Sequence, residues 1–195
     1  MPRHRQICGI ELQDLIVRIE EFHGYPSPGI LLGGCMLDAA LGTLPPTAYL
    51  NVVSETVVCL PDAVQLLTPC TIGNGFLQIL DWGKFALTVY DRKSLQGVRA
   101  GLDHPALSAF PLVHQWFDRS ARTGSKPEFE ALSDEILAAA GEVIVCREVA
   151  VLQALKETQS IQTGVCPDCG ESYARRLGDR CPACAGRPYC TVREK

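Results

Sequence analysis

The chain has 195 residues, of which 47% are hydrophobic and 21% are charged, so its composition is that of a globular protein and not of a disordered one. Residues 1–160 hold 12 Lys and Arg against 18 Asp and Glu, while residues 161–195 hold 6 against 4. Four thiolates with one Zn²⁺ would add −2 to this C-terminal part and leave it close to neutral, so nucleic-acid binding, which needs a surplus of positive charge, has only weak support. The longest apolar stretch, residues 30–41, is interrupted by Gly33, Gly34 and Asp38 and falls short of the roughly 20 residues that span a bilayer, so no membrane segment is predicted.

Two helices are predicted at the start of the chain. Apolar residues at helical spacing indicate an amphipathic helix over residues 11–22. Pro28 suits the first turn of a second helix, which extends over residues 28–41 and ends at Gly42. Gly33 and Gly34 in this helix each cost about 1 kcal/mol of helix stability relative to alanine. We therefore expect another backbone to pass close to both glycines.

Strands and helices then follow in irregular order. Residues 76–81 and 85–90 are apolar runs around Trp82 and Gly83, which predicts a hairpin, and a strand at 95–100 would extend it into a meander. Because hairpins and helices mix without regular βαβ alternation, the predicted fold class is α+β, with helices packed on an antiparallel sheet. The remaining predicted elements are a strand at 49–53, helices at 61–68, 106–119 and 128–140, and a strand at 142–151.

Four cysteines near the C-terminus form two Cys-x2-Cys pairs separated by eleven residues: Cys166, Cys169, Cys181 and Cys184. This spacing is typical of a structural zinc site with four thiolate ligands. It predicts a core domain over residues 1–160 and a small zinc-finger domain over residues 161–195, with the linker near residues 158–163. Ten cysteines without a secretory signal favour the reducing cytoplasm over a disulfide framework.

Three further residues with metal-binding side chains lie at the ends of predicted elements. His23 follows the first helix, Cys59 precedes a short helix, and Cys70 lies in a glycine-containing loop. The partial positive charge of a helix N-terminus is expected to lower the pKa of the Cys59 thiol. Two interpretations stay open, a shared metal site or packed cysteines that act as small hydrophobic residues. His104 and His114 are interpreted as structural residues without a functional role.

The order of motifs resembles that of one protein family, the E-type subunits of formylmethanofuran dehydrogenase. The motifs are Phe22-His-Gly-Tyr-Pro-Ser-Pro-Gly-Ile-Leu-Leu-Gly33, Cys59-Leu-Pro-Asp-Ala-Val-Gln65, Cys70-Thr-Ile-Gly-Asn-Gly75 and Asp81-Trp-Gly-Lys84. The four-cysteine module is similar to a zinc-finger appendage that some members of this family carry.

This resemblance implies an α+β core, a homodimer with interlocked subunits and a second metal ion, expected to be zinc, near the His-Gly motif. The implied ligands are His23, Cys59 and Cys70, with Asp62, Tyr25 and Lys84 as residues around them, of which Lys84 would supply positive charge. Two positions depart from the family pattern. Tyr25 stands where the family has a second histidine, and Cys35 stands where it often has an arginine. These two changes bear on an inherited catalytic role more than on the fold.

Three functions are compatible with these features. The first, which the resemblance favours, is a metal-binding accessory protein or partner subunit of a molybdenum or tungsten enzyme of one-carbon metabolism. The second is a metal-dependent enzyme in which the core metal activates water or a thiol-reactive substrate. The third is a metal sensor or regulator that makes contacts through its zinc finger, although the charge distribution makes nucleic acid an unlikely partner.

Overall fold

The computed structural model describes residues 6–118, 127–152 and 162–190. The chain divides into two compact units, Met1–Leu155 and Lys156–Lys195. Most of the linker predicted at residues 158–163 lies outside the described residues. Within the described ranges, every helix is too short or too polar to cross a membrane.

The first unit contains six helices and seven strands within the described residues, which confirms the α+β class. In chain order they are β1 (Gln6–Ile7), β2 (Ile10–Glu11), α1 (Leu12–His23), α2 (Pro28–Leu41), β3 (Leu50–Ser54), α3 (Leu60–Leu67), β4 (Leu77–Ile79), β5 (Leu87–Asp91), β6 (Gln96–Leu102), α4 (His104–Leu107), α5 (Pro111–Phe117), α6 (Phe129–Val143) and β7 (Ile144–Ala150). β1 and β2 pair with each other, and the other five strands form one sheet in the order β4-β3-β5-β6-β7.

The hairpin predicted around Trp82 and Gly83 is wrong. β3 lies between β4 and β5, parallel to β4 and antiparallel to β5, so the two strands flanking Trp82 do not pair with each other. The backbone N–H groups of Trp82 and Lys84 donate instead to the Glu55 carbonyl just after β3. The predicted extension from the strand at 85–90 to the strand at 95–100 is confirmed, because β5 and β6 pair antiparallel. The last predicted strand corresponds to β7, which pairs antiparallel with β6.

The helix predicted over residues 106–119 is divided into α4 and α5. Pro111 begins α5, where its fixed φ and missing N–H suit the first helical turn. The three residues between the helices form a turn in which the N–H of Phe110 donates to the Leu107 carbonyl. The prediction overlooked that proline, and the turn brings residues of the two short helices face to face.

Helix α2 forms the centre of the core, as its apolar composition on all sides requires. Its bounds match the predicted ones, and eleven of its 14 residues are buried. The neighbours of its two glycines are mainly side chains and not the expected backbone. A Cβ at Gly33 would lie 2.8 Å from the Ala63 Cβ and 2.9 Å from Leu60 Cδ2 on α3. The absence of side chains at these positions therefore lets α2 and α3 pack closely.

Replacing Gly33 with alanine is expected to destabilise the first unit by about 1–2 kcal/mol. Overpacking costs typically about 1–3 kcal/mol, which outweighs the gain of about 1 kcal/mol in helix propensity. Gly141→Ala in α6 is the matched control, because a Cβ there meets no atom within 4 Å, and this variant should be more stable by about 0.5–1 kcal/mol. Urea denaturation measures both changes, and equal effects of the two substitutions would contradict the packing argument.

The described residues of the second unit, 162–190, form a small module that buries almost no apolar side chains. It contains an antiparallel pair, β8 (Thr163–Val165) and β9 (Ser172–Ala174), followed by a 3-10 helix at Arg175–Leu177. Among its described residues, only Gly164 and Cys166 are buried. The free energy gained by burying so little surface does not offset the conformational entropy that the chain loses on folding. The module therefore needs another source of stability.

Candidate metal centres

The four cysteines of the second unit form one cluster, as predicted. Their sulfur atoms all lie within 4.8 Å of one another, and Cys169 Sγ lies 3.9 Å from Cys181 Sγ. Four thiolates about 2.3 Å from a zinc ion at the corners of a tetrahedron are about 3.8 Å apart. The residues therefore fit zinc. Cys190, the remaining cysteine of the unit, is exposed and lies outside this group.

The backbone of the module is arranged to hold negative charge on sulfur. The N–H of Cys181 donates to Cys166 Sγ at 3.4 Å, and the N–H of Cys184 donates to Cys181 Sγ at 3.5 Å. The N–H groups of Cys181 and Cys169 lower the pKa of Cys166 to about 6. The neighbouring thiols of Cys181 and Cys169 raise the pKa of Cys184 to about 12. Four thiolates this close repel one another, and a divalent cation relieves that repulsion.

In the first unit, His23 at the end of α1 pairs with Asp62 in the first turn of α3. His23 Nδ1 lies 2.7 Å from Asp62 Oδ2. The other ring nitrogen, Nε2, is buried and has no hydrogen-bond partner among the described residues. A buried polar atom without a partner is costly. A carboxylate on one nitrogen and an open second nitrogen form the arrangement by which metal-binding histidines are oriented.

Cys59 is the N-cap residue of α3, three residues before Asp62. Its sulfur is 3.8 Å from the Ser27 hydroxyl, and a Cβ on Gly29 would lie 2.6 Å from that sulfur, so the glycine leaves space for the thiol. Burial raises the pKa of the Cys59 thiol, and the nearby Asp62 charge adds to the rise. The predicted lowering of this pKa by the helix N-terminus is therefore wrong, because desolvation of the thiolate outweighs the helix dipole.

The structure does not bring all the implied core ligands together. Cys70 follows the C-terminal end of α3, and eight residues of helix, about 12 Å, separate that end from Cys59. The Cys70 thiol is buried and donates to the Leu50 carbonyl at 3.4 Å. His23, Cys59 and Cys70 do not form a group of ligand atoms within 4.8 Å in the described part of the chain.

The two residues expected to assist the core site differ in their contacts. Tyr25 is more than half exposed, and its ring packs edge-on against His23 with 4.5 Å between the ring centres. It therefore covers the imidazole. The Lys84 ammonium lies 5.5 Å from the centre of the Trp82 ring, and this contact is a cation–π interaction.

A second group with metal-binding side chains was missed by the sequence interpretation. One ligand atom from each of His104, His114 and Asp118 lies within 4.8 Å of the other two. The sequence contains a signal for it, since His114 and Asp118 are four residues apart and such residues share one helix face. His104 joins them through the turn between α4 and α5; Pro111 was a local signal for that turn, but the contact of the two histidines across it has no local signal.

Comparisons with known proteins agree with this architecture. Residues 22–153 match the model of the family described as FmdE, molybdenum formylmethanofuran dehydrogenase operon, and residues 158–190 match the FmdE treble clef zinc finger. The crystal structure of a tungsten formylmethanofuran dehydrogenase FmdE-like protein from Syntrophus aciditrophicus superimposes with a TM-score of 0.84. The two chains are 37% identical, and the match covers 97% of this chain and 100% of that one.

A curated relative is longer. The chain is 30% identical over 208 residues to a probable S-adenosyl-L-methionine-binding protein of Archaeoglobus fulgidus. That match covers 93% of this chain and 55% of the relative, so the chain spans about half the length of the relative. The two family models together cover the first unit from α2 to β7 and the four-cysteine cluster. The chain therefore belongs to the FmdE family and carries the treble clef zinc finger of that family.

Proposed function

We propose that the protein is a metal-binding accessory protein or subunit of the FmdE type, with a structural zinc ion in the second unit and a second metal ion in the first. The observation that supports the second ion is the state of the His23 ring. Its Nε2 is buried and has no hydrogen-bond partner among the described residues, while Nδ1 is paired with the Asp62 carboxylate. A metal ion would supply that partner.

The core ligands in this proposal are His23 and Cys59, both next to Asp62. An imidazole nitrogen and a thiolate are donors that suit zinc, and the ion would stabilise the deprotonated form of a thiol whose pKa burial has raised. Two protein ligands leave positions for water, a substrate or a residue of a partner. Cys70 is not a ligand in this proposal, because its sulfur already contacts the Leu50 carbonyl.

Replacing His23 with alanine is expected to remove one zinc equivalent per chain, and Cys59→Ala to weaken or remove the same equivalent. Cys70→Ala is the matched control and should leave the metal content unchanged. Elemental analysis of the full chain, after loading with zinc and dialysis, measures these contents. If His23→Ala and Cys59→Ala both retain the zinc content of the wild type, the core site proposed here does not exist.

The proposal includes a homodimer that serves as a partner of a molybdenum or tungsten enzyme. Support comes from the family description and from a set of large apolar side chains that are more than half exposed in the single chain: Tyr25, Val57, Val58 and Trp82. Exposed apolar side chains that lie together in one patch are typical of protein interfaces. Light scattering that reports one 21.2-kDa chain at micromolar concentration would contradict the dimer.

A reducing location, the cytoplasm, is part of the same proposal, because the zinc-binding thiolates have to stay reduced. Recovery of the protein from an oxidising compartment with its cysteines paired as disulfides would overturn this part.

A further inference from the structure

Two short helices place three metal-binding side chains around one point, away from the cysteines. His104 begins α4, His114 lies in α5, and Asp118 follows the last residue of α5. The centres of the two imidazole rings are 6.0 Å apart, and the nearest ligand atoms of all three residues lie within 4.8 Å of one another. Two ligands of one zinc ion are about 3–3.5 Å apart. Small rotations of these side chains would therefore complete a shared coordination sphere.

The backbone under this group is held in place. The N–H of Asp118 donates to the His114 carbonyl at 2.8 Å, which sets these residues one helical turn apart. Leu107 and Val113 are fully buried and anchor α4 and α5 to the core. The N–H of Val113 also donates to the Glu135 carboxylate on α6 at 2.7 Å. The three side chains therefore project from a fixed frame, which is what a metal site with a defined geometry needs.

The surroundings leave room for further ligands. A cavity of about 390 Å³ lies beside His104, with Asp103 and the two arginines Arg99 and Arg147 on its wall. The charge of Arg99 is offset by a bidentate ion pair with Glu55. Among the described residues on this wall, Arg147 is the remaining positive charge, and the carboxylate of Asp103 on the same wall opposes it. Water or a small ligand can therefore occupy the open coordination positions.

The geometry points to a divalent transition-metal site formed by His104, His114 and Asp118, which we propose as a second metal site of the first unit, independent of His23. Two imidazoles and one carboxylate form a donor set for first-row metals such as zinc, cobalt or iron(II), and three protein ligands leave open positions on the metal. The set contains no sulfur. This separates it from the site at His23 and Cys59.

Titration of the full chain with Co²⁺ tests the site, with the zinc finger left filled by zinc. The expected result is one cobalt equivalent beyond any that His23 and Cys59 bind, with weak visible bands from nitrogen and oxygen ligands, which both His114→Ala and Asp118→Asn abolish. His23→Ala is the matched control and should leave these bands unchanged. A cobalt site at His23 and Cys59 differs because it adds a sulfur-to-cobalt charge-transfer band in the near ultraviolet.

Each outcome decides the proposal. Loss of the weak bands in both variants, with circular dichroism equal to that of the wild type, supports the site. Weak bands that survive His114→Ala and Asp118→Asn, or a wild-type titration that gives only the charge-transfer band, overturn it. The His23 variant reports on the proposed function separately, so failure of one site is distinguishable from failure of the other.

Discussion

Replacing Cys169 with serine is expected to release zinc and to unfold the second unit while the first unit stays folded. Only Gly164 and Cys166 are buried among the described residues of this unit, so apolar burial contributes little. Structural zinc binding contributes about 10–16 kcal/mol of apparent free energy in comparable zinc-finger peptides. Loss of one of four thiolates removes a large share of that free energy, which leaves the module without a source of stability.

Cys190→Ser is the matched control, because Cys190 is an exposed cysteine of the same unit that lies outside the cluster. Zinc analysis together with amide hydrogen exchange measures the effect. We expect fast exchange throughout residues 162–190 in Cys169→Ser and wild-type exchange in Cys190→Ser. Retention of both zinc and slow exchange in Cys169→Ser would show that the cysteines do not hold the module together.

Replacing Arg99 with alanine is expected to destabilise the first unit by about 2–3 kcal/mol. Arg99 Nε lies 2.6 Å from Glu55 Oε1, the second guanidinium nitrogen lies 2.7 Å from Oε2, and this pairing raises the pKa of Arg99. The Glu55 side chain is only 4% exposed. Removal of one partner of a buried pair costs about 3–5 kcal/mol. We expect less here because the Arg99 side chain is 32% exposed, so water screens part of the interaction.

Two further variants separate the cause from a general loss of packing. Arg147 lies directly opposite Arg99 in the register of β6 and β7 and is exposed, so Arg147→Ala should change stability by less than about 0.5 kcal/mol. In the double variant Glu55→Gln with Arg99→Ala, no unpaired charge stays buried, and we expect it to be more stable than Arg99→Ala alone. The single variant Glu55→Gln completes the comparison. If the loss of unfolding free energy in the double variant equals the sum of the losses in Glu55→Gln and Arg99→Ala, the ion-pair explanation is contradicted.

Sequence patterns predicted correctly those features that depend only on residues close together in the sequence. The bounds of α2 follow from Pro28 and the apolar run up to Leu41. The zinc cluster follows from two close cysteine pairs, because a Cys-x2-Cys turn places both sulfurs on one ion wherever the rest of the chain lies. The α+β class also follows, since it needs only the types of the elements and not their arrangement.

Features that depend on contacts between residues far apart in the sequence could not be predicted from such patterns. The false hairpin at Trp82 arose because two apolar runs with a turn between them do not show that β3 lies between them. The meeting of His104 and His114 likewise depends on how α4 and α5 lie relative to each other after the turn before Pro111. Both features require knowledge of where elements lie in space. The separation of Cys59 from Cys70 is different, because the helix predicted over residues 61–68 already lies between them and the implied set of ligands did not take its length into account.

The most direct test of the central claim, that the first unit binds a metal ion in addition to the zinc of the second, is a crystal structure with anomalous diffraction data at the zinc absorption edge. We predict one anomalous peak among Cys166, Cys169, Cys181 and Cys184 and another within coordination distance of His23 Nε2 and Cys59 Sγ. A peak at the four cysteines in zinc-loaded crystals, with none at His23, would contradict the proposed function.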